Sequence, residues 1–411
     1  MNRPTSKNSL TSPDRLQGLP GGVWALGFVS LFMDISSELI HSLLPVFMVS
    51  VLGAPMTTIG LIEGAAEAAA AITKIFSGAV SDHLGRRKLL AGIGYGIAAL
   101  TKPIFPLADS ISWVFGARFV DRLGKGIRGA PRDALVADIA PRELRGAAFG
   151  LRQSLDTVGA FIGPLAAMIF MIWFADDIRA VLWVAVPPAL IAVALLIFGV
   201  NEPKRSPSEI KQTSLLKFTG AGRLPLRFWL IVVLGALFSL ARFSEAFLVL
   251  RAENVGLAVG YVPLVLIIMN VFYTATAYPA GVAADKRSQR WLLIAGLVML
   301  VSADLLLAAA TSPLLAFIGA ALWGVHMGLT QGLFAKLVAD TALTGLRGTA
   351  FGIFNLVSGL SLLLASFIAG ELWHAFGARA AFLSGASFAM FALLGLLVRR
   401  KSPKASNEQN G

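Results

Sequence analysis

The sequence predicts an all-α integral membrane protein, with twelve transmembrane helices arranged as two pseudo-symmetric six-helix bundles. Three observations predict it: apolar runs of membrane-spanning length, basic residues confined to alternate loops, and an internal repeat at half the chain length. The 411 residues are 56% hydrophobic and 14% charged, against about 25% charged in a typical soluble domain. Runs such as Val181–Val200, Phe228–Leu240, Trp291–Ala310 and Ala380–Val398 are long enough to cross roughly 30 Å of hydrocarbon as helices. Backbone groups in lipid must bond internally, so these spans are helices rather than open strands. The short alternating segments of a membrane barrel are absent.

In chain order the spans fall at about 23–50, 57–80, 88–108, 111–134, 144–174 and 179–199, then 227–251, 258–283, 290–310, 313–339, 346–373 and 378–398. The expected organisation is a tail over 1–22, a first bundle over 23–200, a linker over 201–226, a second bundle over 227–398 and a tail over 399–411. The first 22 residues are polar with three prolines and lead into a full span, so no cleavable signal peptide is expected. Alternating the loops puts Arg3, Lys7 and Arg15, Arg86, Arg87 and Lys88, Arg142 and Arg145, the basic linker and the basic tail on one side. The other side holds little beyond Arg179, Arg251 and Arg379. An excess of Lys and Arg marks the cytoplasmic side, so both termini are expected inside. This distribution also accounts for the net charge of +12 without nucleic acid. There is no cysteine, which excludes disulfides and thiolate metal sites.

The halves echo each other. Ala137–Gly150 (ADIAPRELRGAAFG) aligns with Ala339–Gly352 (ADTALTGLRGTAFG) at an offset of 202, and Gly78–Asp82 (GAVSD) aligns with Gly281–Asp285 (GVAAD) at an offset of 203. Such repeats suit alternating access, with a substrate site between the halves.

Charges inside the spans are costly, about 2.5–3.5 kcal/mol each on insertion scales. Asp34, Glu38 and His41 share an arc of roughly 60° on helix 1, and Glu63, Glu67 and Lys74 share roughly 40° on helix 2. Arg118, Asp121, Arg122, Lys125, Arg128 and Arg132 lie within roughly 120° on helix 4. Lys102 sits on helix 3, and Arg152 and Asp156 are one turn apart on helix 5. One-sided stacking turns these faces toward protein or water. The second half offers Arg242 and Glu245, Asn270 and Tyr273, His326 and Gln331, and an isolated Asp304. Two readings stand for the charged set. Either they are fixed ion pairs that hold the bundle, or a carboxylate beside a cation exchanges protons. His41 and His326 have no ligand cluster around them, so no metal site is expected.

Gly78–Lys88 (GAVSDHLGRRK) resembles the signature between helices 2 and 3 of the major facilitator superfamily, in its twelve-helix form, and the resemblance covers essentially the whole chain. It implies a conformational latch of Gly78, Asp82, Gly85, Arg86, Arg87 and Asp138, with Asp138 as the partner of Arg86, and a weaker copy at Asp285 and Arg290. Arg122–Ala130 (RLGKGIRGA) resembles the helix 4 motif whose arginine is tied to proton coupling. Gly159–Pro164 (GAFIGP), with Gly159, Gly163 and Pro164, resembles the helix 5 motif of the drug:proton antiporter branch, with Ala167 and Met168 where that motif's glycine pair falls. Helices 1, 4, 7 and 10 would then surround the cavity. The resemblance implies proton coupling through Asp34, Glu38, Glu63, Glu67 and Arg122. It also implies a substrate cavity holding Arg118, Lys125, Arg242, Glu245, Asn270, Tyr273, His326 and Gln331.

The expectation is therefore a proton-coupled exporter (an antiporter) of a small polar or charged solute or drug, with a proton-coupled symporter for an anionic or zwitterionic solute as the alternative. It would be a monomer in the bacterial inner membrane, with protons, a small molecule and lipid as partners and no cofactor. No Walker-type phosphate loop supports ATP drive. A membrane enzyme or a channel fits the repeat less well, and the substrate itself is not legible.

Overall fold

The computed structural model describes residues 18–203, 222, 224–286, 289–342 and 346–398, and within these not the side chains of 79, 82, 285, 286, 347, 348 and 398. Among the described residues the helices form twelve segments of membrane-spanning length. In the first half, α1 is Gly21–Val46, continued by a π-helical turn over Phe47–Val51. It is followed by α2, Met56–Leu84, and α3, Arg87–Thr101, which is extended by Ile104–Leu107. Next come α4, Ile111–Ile139, and α5, Arg145–Trp173. The last span, α6, runs over Ile178–Trp183 and Val186–Gly199.

In the second half, α7 runs over Leu226–Ala241 and Ala246–Asn254. Then follow α8, Pro263–Lys286, and α9, Gln289–Ala309. The last three are α10, Pro313–Thr341, α11, Arg347–Phe376, and α12, Ala378–Val398. Gly18, Glu202, Leu224 and Val398 fall on one side of the antiparallel spans, called here the linker face.

Local chemistry sets the ends. Prolines at 20, 55 and 225 stand at the N-caps of α1, α2 and α7. A residue before the first turn needs no amide donor there, so proline is tolerated. Gly85 closes α2 in the left-handed region at φ 63°, which a side chain would strain.

Ten spans are long and apolar enough to cross a membrane on length and composition alone. The other two, α2 and α4, have 29 residues each, about 43 Å of helix. They fall short because they carry the charged stripes. They are also interior helices: α4 packs on α2 and α3, and α2 packs on α11 of the other half. Lipid therefore meets the apolar helices, and the charge is turned inward.

The halves meet along α2–α11 and α5–α8. The α2–α11 seam is tightest away from the linker face. A Cβ on Gly60 would run into the Ser366 carbonyl oxygen, and one on Gly370 would stand 2.6 Å from that of Met56. Toward the linker face the seam relaxes to side-chain contact, with a Cβ on Gly352 meeting Ile75 Cγ2 at 3.1 Å. Small residues are what let two backbones approach this closely in lipid.

Candidate functional site

Glycines bring the charged faces together. Along α1–α5, a Cβ on Gly159 would stand 2.7 Å from the Leu31 carbonyl oxygen and 3.0 Å from Asp34 Cβ. One on Gly163 would stand 2.8 Å from the Ile35 carbonyl oxygen and 2.9 Å from Glu38 Cβ. The two glycines of the helix 5 motif thus seat the two carboxylates of α1, and Pro164 is buried beside them. On α4, a Cβ on Gly124 would meet the Gly94 carbonyl oxygen of α3 at 2.7 Å, and one on Gly126 would meet that of Ala70 on α2 at 2.7 Å.

The charges form tiers down the interior. Farthest from the linker face, Arg118 donates to Glu63 at 2.7 Å, both side chains 1% exposed, and Lys102 donates to Asp121 at 2.8 Å and to Ser37 at 3.1 Å. Glu63 and Arg118 are therefore sealed in protein, outside the open chamber where the sequence analysis expects Arg118. In the middle tier Arg122 Nε lies 3.4 Å from Glu67 Oε1; Glu67 is 34% exposed and Arg122 is 2% exposed. His41 stands between two carboxylates, with Nδ1 3.4 Å from Glu38 and Nε2 3.8 Å from Glu63. Toward the linker face Arg128 approaches Asp34 at 4.0 Å and lies 4.7 Å from the centre of the Tyr95 ring. Below it Arg132 reaches Asp133 at 3.1 Å, and Arg152 pairs with Asp156.

Three connected lobes open among these groups. The largest, about 670 Å³, is walled by Asp34, Glu38, Glu67, Lys74, Lys125 and Asp156 and reaches toward the linker face. A deeper lobe of about 360 Å³ holds Glu38, His41, Glu67, Arg122, Arg242 and Glu245. A third of about 450 Å³ lies against the second half, with Lys74, Arg242 and His326 in its wall. Gln331 borders all three. Asn270 and Tyr273 border the first two, and the Tyr273 hydroxyl donates to Gln331 Oε1 at 3.2 Å. His326 is buried, and its Nδ1 bonds the Gly296 carbonyl at 2.8 Å. Gln153, Asn355 and Thr274 also face the largest lobe. Asn355 is a lone polar residue in an apolar run, the available signal for it; Gln153 sits between Arg152 and Ser154, and Thr274 beside Tyr273, with no such contrast.

Helix α7 is not continuous. It breaks over Arg242–Ser244, and the Ser244 amide donates to Ser366 Oγ of α11 at 3.1 Å instead of to its own helix. Arg242 and Glu245 flank the break and both face the deeper lobe. A broken helix at membrane depth is tolerated where it lines a cavity.

The latch differs from the sequence expectation in one partner. Asp138 is paired by Arg87, at 2.7 Å, and not by Arg86. Arg87 also donates to the Ala134 carbonyl at 2.9 Å, and its amide bonds Glu202 at 2.6 Å. The cause is the left-handed turn at Gly85: it leaves Arg86 at the N-cap, exposed, and puts Arg87 in the first turn of α3 facing α4. Gly78 would bring a Cβ 3.4 Å from Ala130 Cβ on α4. In the second copy, Arg290 donates to the Leu396 and Leu397 carbonyls at 2.7 and 3.1 Å, so it ties α9 to the end of α12 rather than bridging the halves. The side chains of Asp82 and Asp285 lie outside the described residues.

A family model described as the Major Facilitator Superfamily matches residues 26–265 and 240–411. An uncharacterised MFS-type transporter of Methanocaldococcus jannaschii is 32% identical over 92% of this chain and 95% of its own. The inner membrane transport protein YajR of Escherichia coli is 22% identical over 93% of this chain and 84% of its own. Among solved structures, a point mutant of the nucleoside transporter NupG superposes with a TM-score of 0.79 at 14% identity, covering 92% of this chain and all (100%) of that one. A bacterial homologue of the human lysosomal transporter Spinster, inward-facing and occupied, gives 0.74 at 17% identity, covering 93% and 98%.

Proposed function

The chain belongs to the Major Facilitator Superfamily and is a transporter rather than an enzyme, and on that premise we propose that it is a proton-coupled secondary transporter that exports a small charged solute by alternating access. The chamber lies between the halves, and its walls come from both. It is complete within one chain, which supports a monomer. The excess of Lys and Arg makes the linker face cytoplasmic, in a bacterial inner membrane. The tight seam at the far end then makes this an inward-facing form.

The observation that carries proton coupling is the Glu67–Arg122 pair. Glu67 is one-third exposed to the chamber, whereas its cation is buried beneath it at 3.4 Å. A proton arriving at Glu67 leaves Arg122 only Asp121, 4.0 Å away and already paired with Lys102, and that imbalance is what a change of conformation relieves. Glu38, with His41 behind it, is the second candidate on the chamber wall. Glu63 is locked to Arg118, which favours a structural role for it.

The test uses proteoliposomes loaded with a pH-sensitive dye and a panel of radiolabelled solutes. A transported solute should move protons with the native chain. Glu67→Gln should lose that proton movement while retaining solute exchange. Unchanged proton movement in Glu67→Gln removes Glu67 from the coupling path.

A symporter for an anionic solute is the second reading. It is favoured by Lys125 and Lys74, which line the chamber without an ion pair among the described residues. Vesicles of known sidedness separate the two by the direction in which a pH gradient moves solute.

A further inference from the structure

The three lobes differ in charge. Asp34, Glu38, Glu67 and Asp156 put carboxylates in the wall of the first lobe, and Glu38, Glu67 and Glu245 do so in the second. The third lobe has Lys74 and Arg242 in its wall and no carboxylate. Neither cation has an ion pair within 4.0 Å among the described residues. Arg242 is half-buried at the α7 break, where an unanswered guanidinium is costly. The remaining wall combines an aromatic side, two amides and the polar side chains of Ser239, His326, Thr330 and Ser358. Phe238, Phe334 and Phe354 form an aromatic side, with ring centres 4.8 Å apart for the first two and 5.8 Å apart for the last two. Gly235 makes room for it, since a Cβ there would run into the Phe354 ring. Gln331 and Asn355 supply amides. Gln331 Oε1 accepts from the Tyr273 hydroxyl, which directs that oxygen toward α8.

We infer that this third lobe binds the transported solute as an organic anion, with a carboxylate, phosphate or sulfonate head on Lys74 and Arg242 and an apolar, ring-sized body against the three phenylalanines. The inference rests on the proposal that the chamber is the solute path, and it names the solute class. A cation entering here meets two positive charges and no negative one. A neutral body leaves both cations unanswered. An anion satisfies both through charge-assisted hydrogen bonds, and the NH₂ groups of Gln331 and Asn355 add donors. The volume, about 450 Å³, is that of a small-molecule site. The two cations also come from different halves, Lys74 from α2 and Arg242 from α7. The bound head therefore ties the halves together, which gives the solute a different affinity for the open and closed forms, as alternating access needs.

The experiment is a thermal-shift titration of the purified full-length chain in non-ionic detergent with 4-phenylbutyrate, phenyl phosphate and naphthalene-2-sulfonate. The matched controls are 4-phenylbutylamine and 4-phenylbutanol. The anions should raise the melting temperature in a concentration-dependent way, and the amine and the alcohol should not. Arg242→Gln and Lys74→Gln should each weaken the apparent affinity about tenfold or more, the scale of one charged hydrogen bond. Lys88→Gln, outside the chamber, where Nζ donates to the Ile197 carbonyl, should leave it unchanged. If Arg242→Gln is not recovered folded, Lys74→Gln on the exposed chamber wall carries the test alone. The inference is overturned if no anion shifts the melting temperature, if the amine shifts it as much as the acids, or if Lys74→Gln and Lys88→Gln behave alike. Binding in detergent needs no gradient and no transport. Intact anion binding without proton-driven flux in liposomes sinks the transport mechanism and leaves this site. Proton-driven flux of an organic cation does the reverse.

Discussion

Gly163 of α5 lies directly against Glu38 of α1: a Cβ on the glycine would stand 2.9 Å from Glu38 Cβ and 2.8 Å from the Ile35 carbonyl oxygen. That contact is between backbones, so it has no side chain to rotate away. The position of a chamber carboxylate is therefore set by the absence of a methyl group on the neighbouring helix.

Gly163→Ala should force α1 and α5 apart, at a cost of about 1–3 kcal/mol for overpacking, and should depress transport by moving Glu38. Gly150→Ala is the control. It sits on the same helix with nothing within 4 Å of its Cβ, so alanine should leave stability unchanged or raise it by up to about 1 kcal/mol. Melting curves of the two variants check this. Equal melting temperatures would show that the α1–α5 contact is not under strain from a methyl group.

Arg118 and Glu63 form a pair sealed from solvent. Removing one partner, in Arg118→Met or Glu63→Met, should cost about 3–5 kcal/mol, because the other charge loses its ion pair. The double variant Glu63→Met/Arg118→Met should recover most of that loss. A double-mutant cycle by thermal unfolding reads the coupling directly. A coupling near zero would mean that the pair is not formed.

Asp304 of α9 is fully buried, and neither carboxyl oxygen has a hydrogen-bond partner. It lies beside Gly385 of α12, where a Cβ would stand 2.6 Å from its Oδ2. A lone buried carboxylate is unfavourable, so Asp304→Asn should keep the melting temperature or raise it. A fall of several degrees would mean that the carboxyl group has a bound partner.

Arg87, not Arg86, carries the contact to Asp138. Arg87→Gln should therefore disturb transport more than Arg86→Gln, and flux assays on the two variants compare them. A larger loss in Arg86→Gln would contradict the pairing.

Much of this was legible in the sequence, because membrane-spanning apolar runs and one-sided charge are both local patterns. The stripes on α1, α2 and α4 could be read from helical spacing, and α2 and α4 could be recognised as spans despite charges that lower their hydropathy. The break in α7 could not. The run around Arg242 has no proline or glycine, and the break is held by Ser366, 122 residues away. The phase error at Arg86 and Arg87 has a similar origin, since one left-handed glycine decides which arginine faces α4. The contrast between the acidic lobes and the cationic one depends on which helices meet across the two halves, and no single segment records that.

Alternating access between the halves is directly measurable, because the chain has no cysteine to interfere with site-specific labels. Spin labels at Leu84→Cys and Trp291→Cys report the linker face, and labels at Leu107→Cys and Leu314→Cys report the opposite face; all four positions are exposed. Double electron–electron resonance in liposomes, at several pH values and with the anion panel, should show two populations that move in opposite senses. As the linker-face distance shortens, the far-face distance should lengthen. A single unchanging distance at both faces under every condition would rule alternating access out.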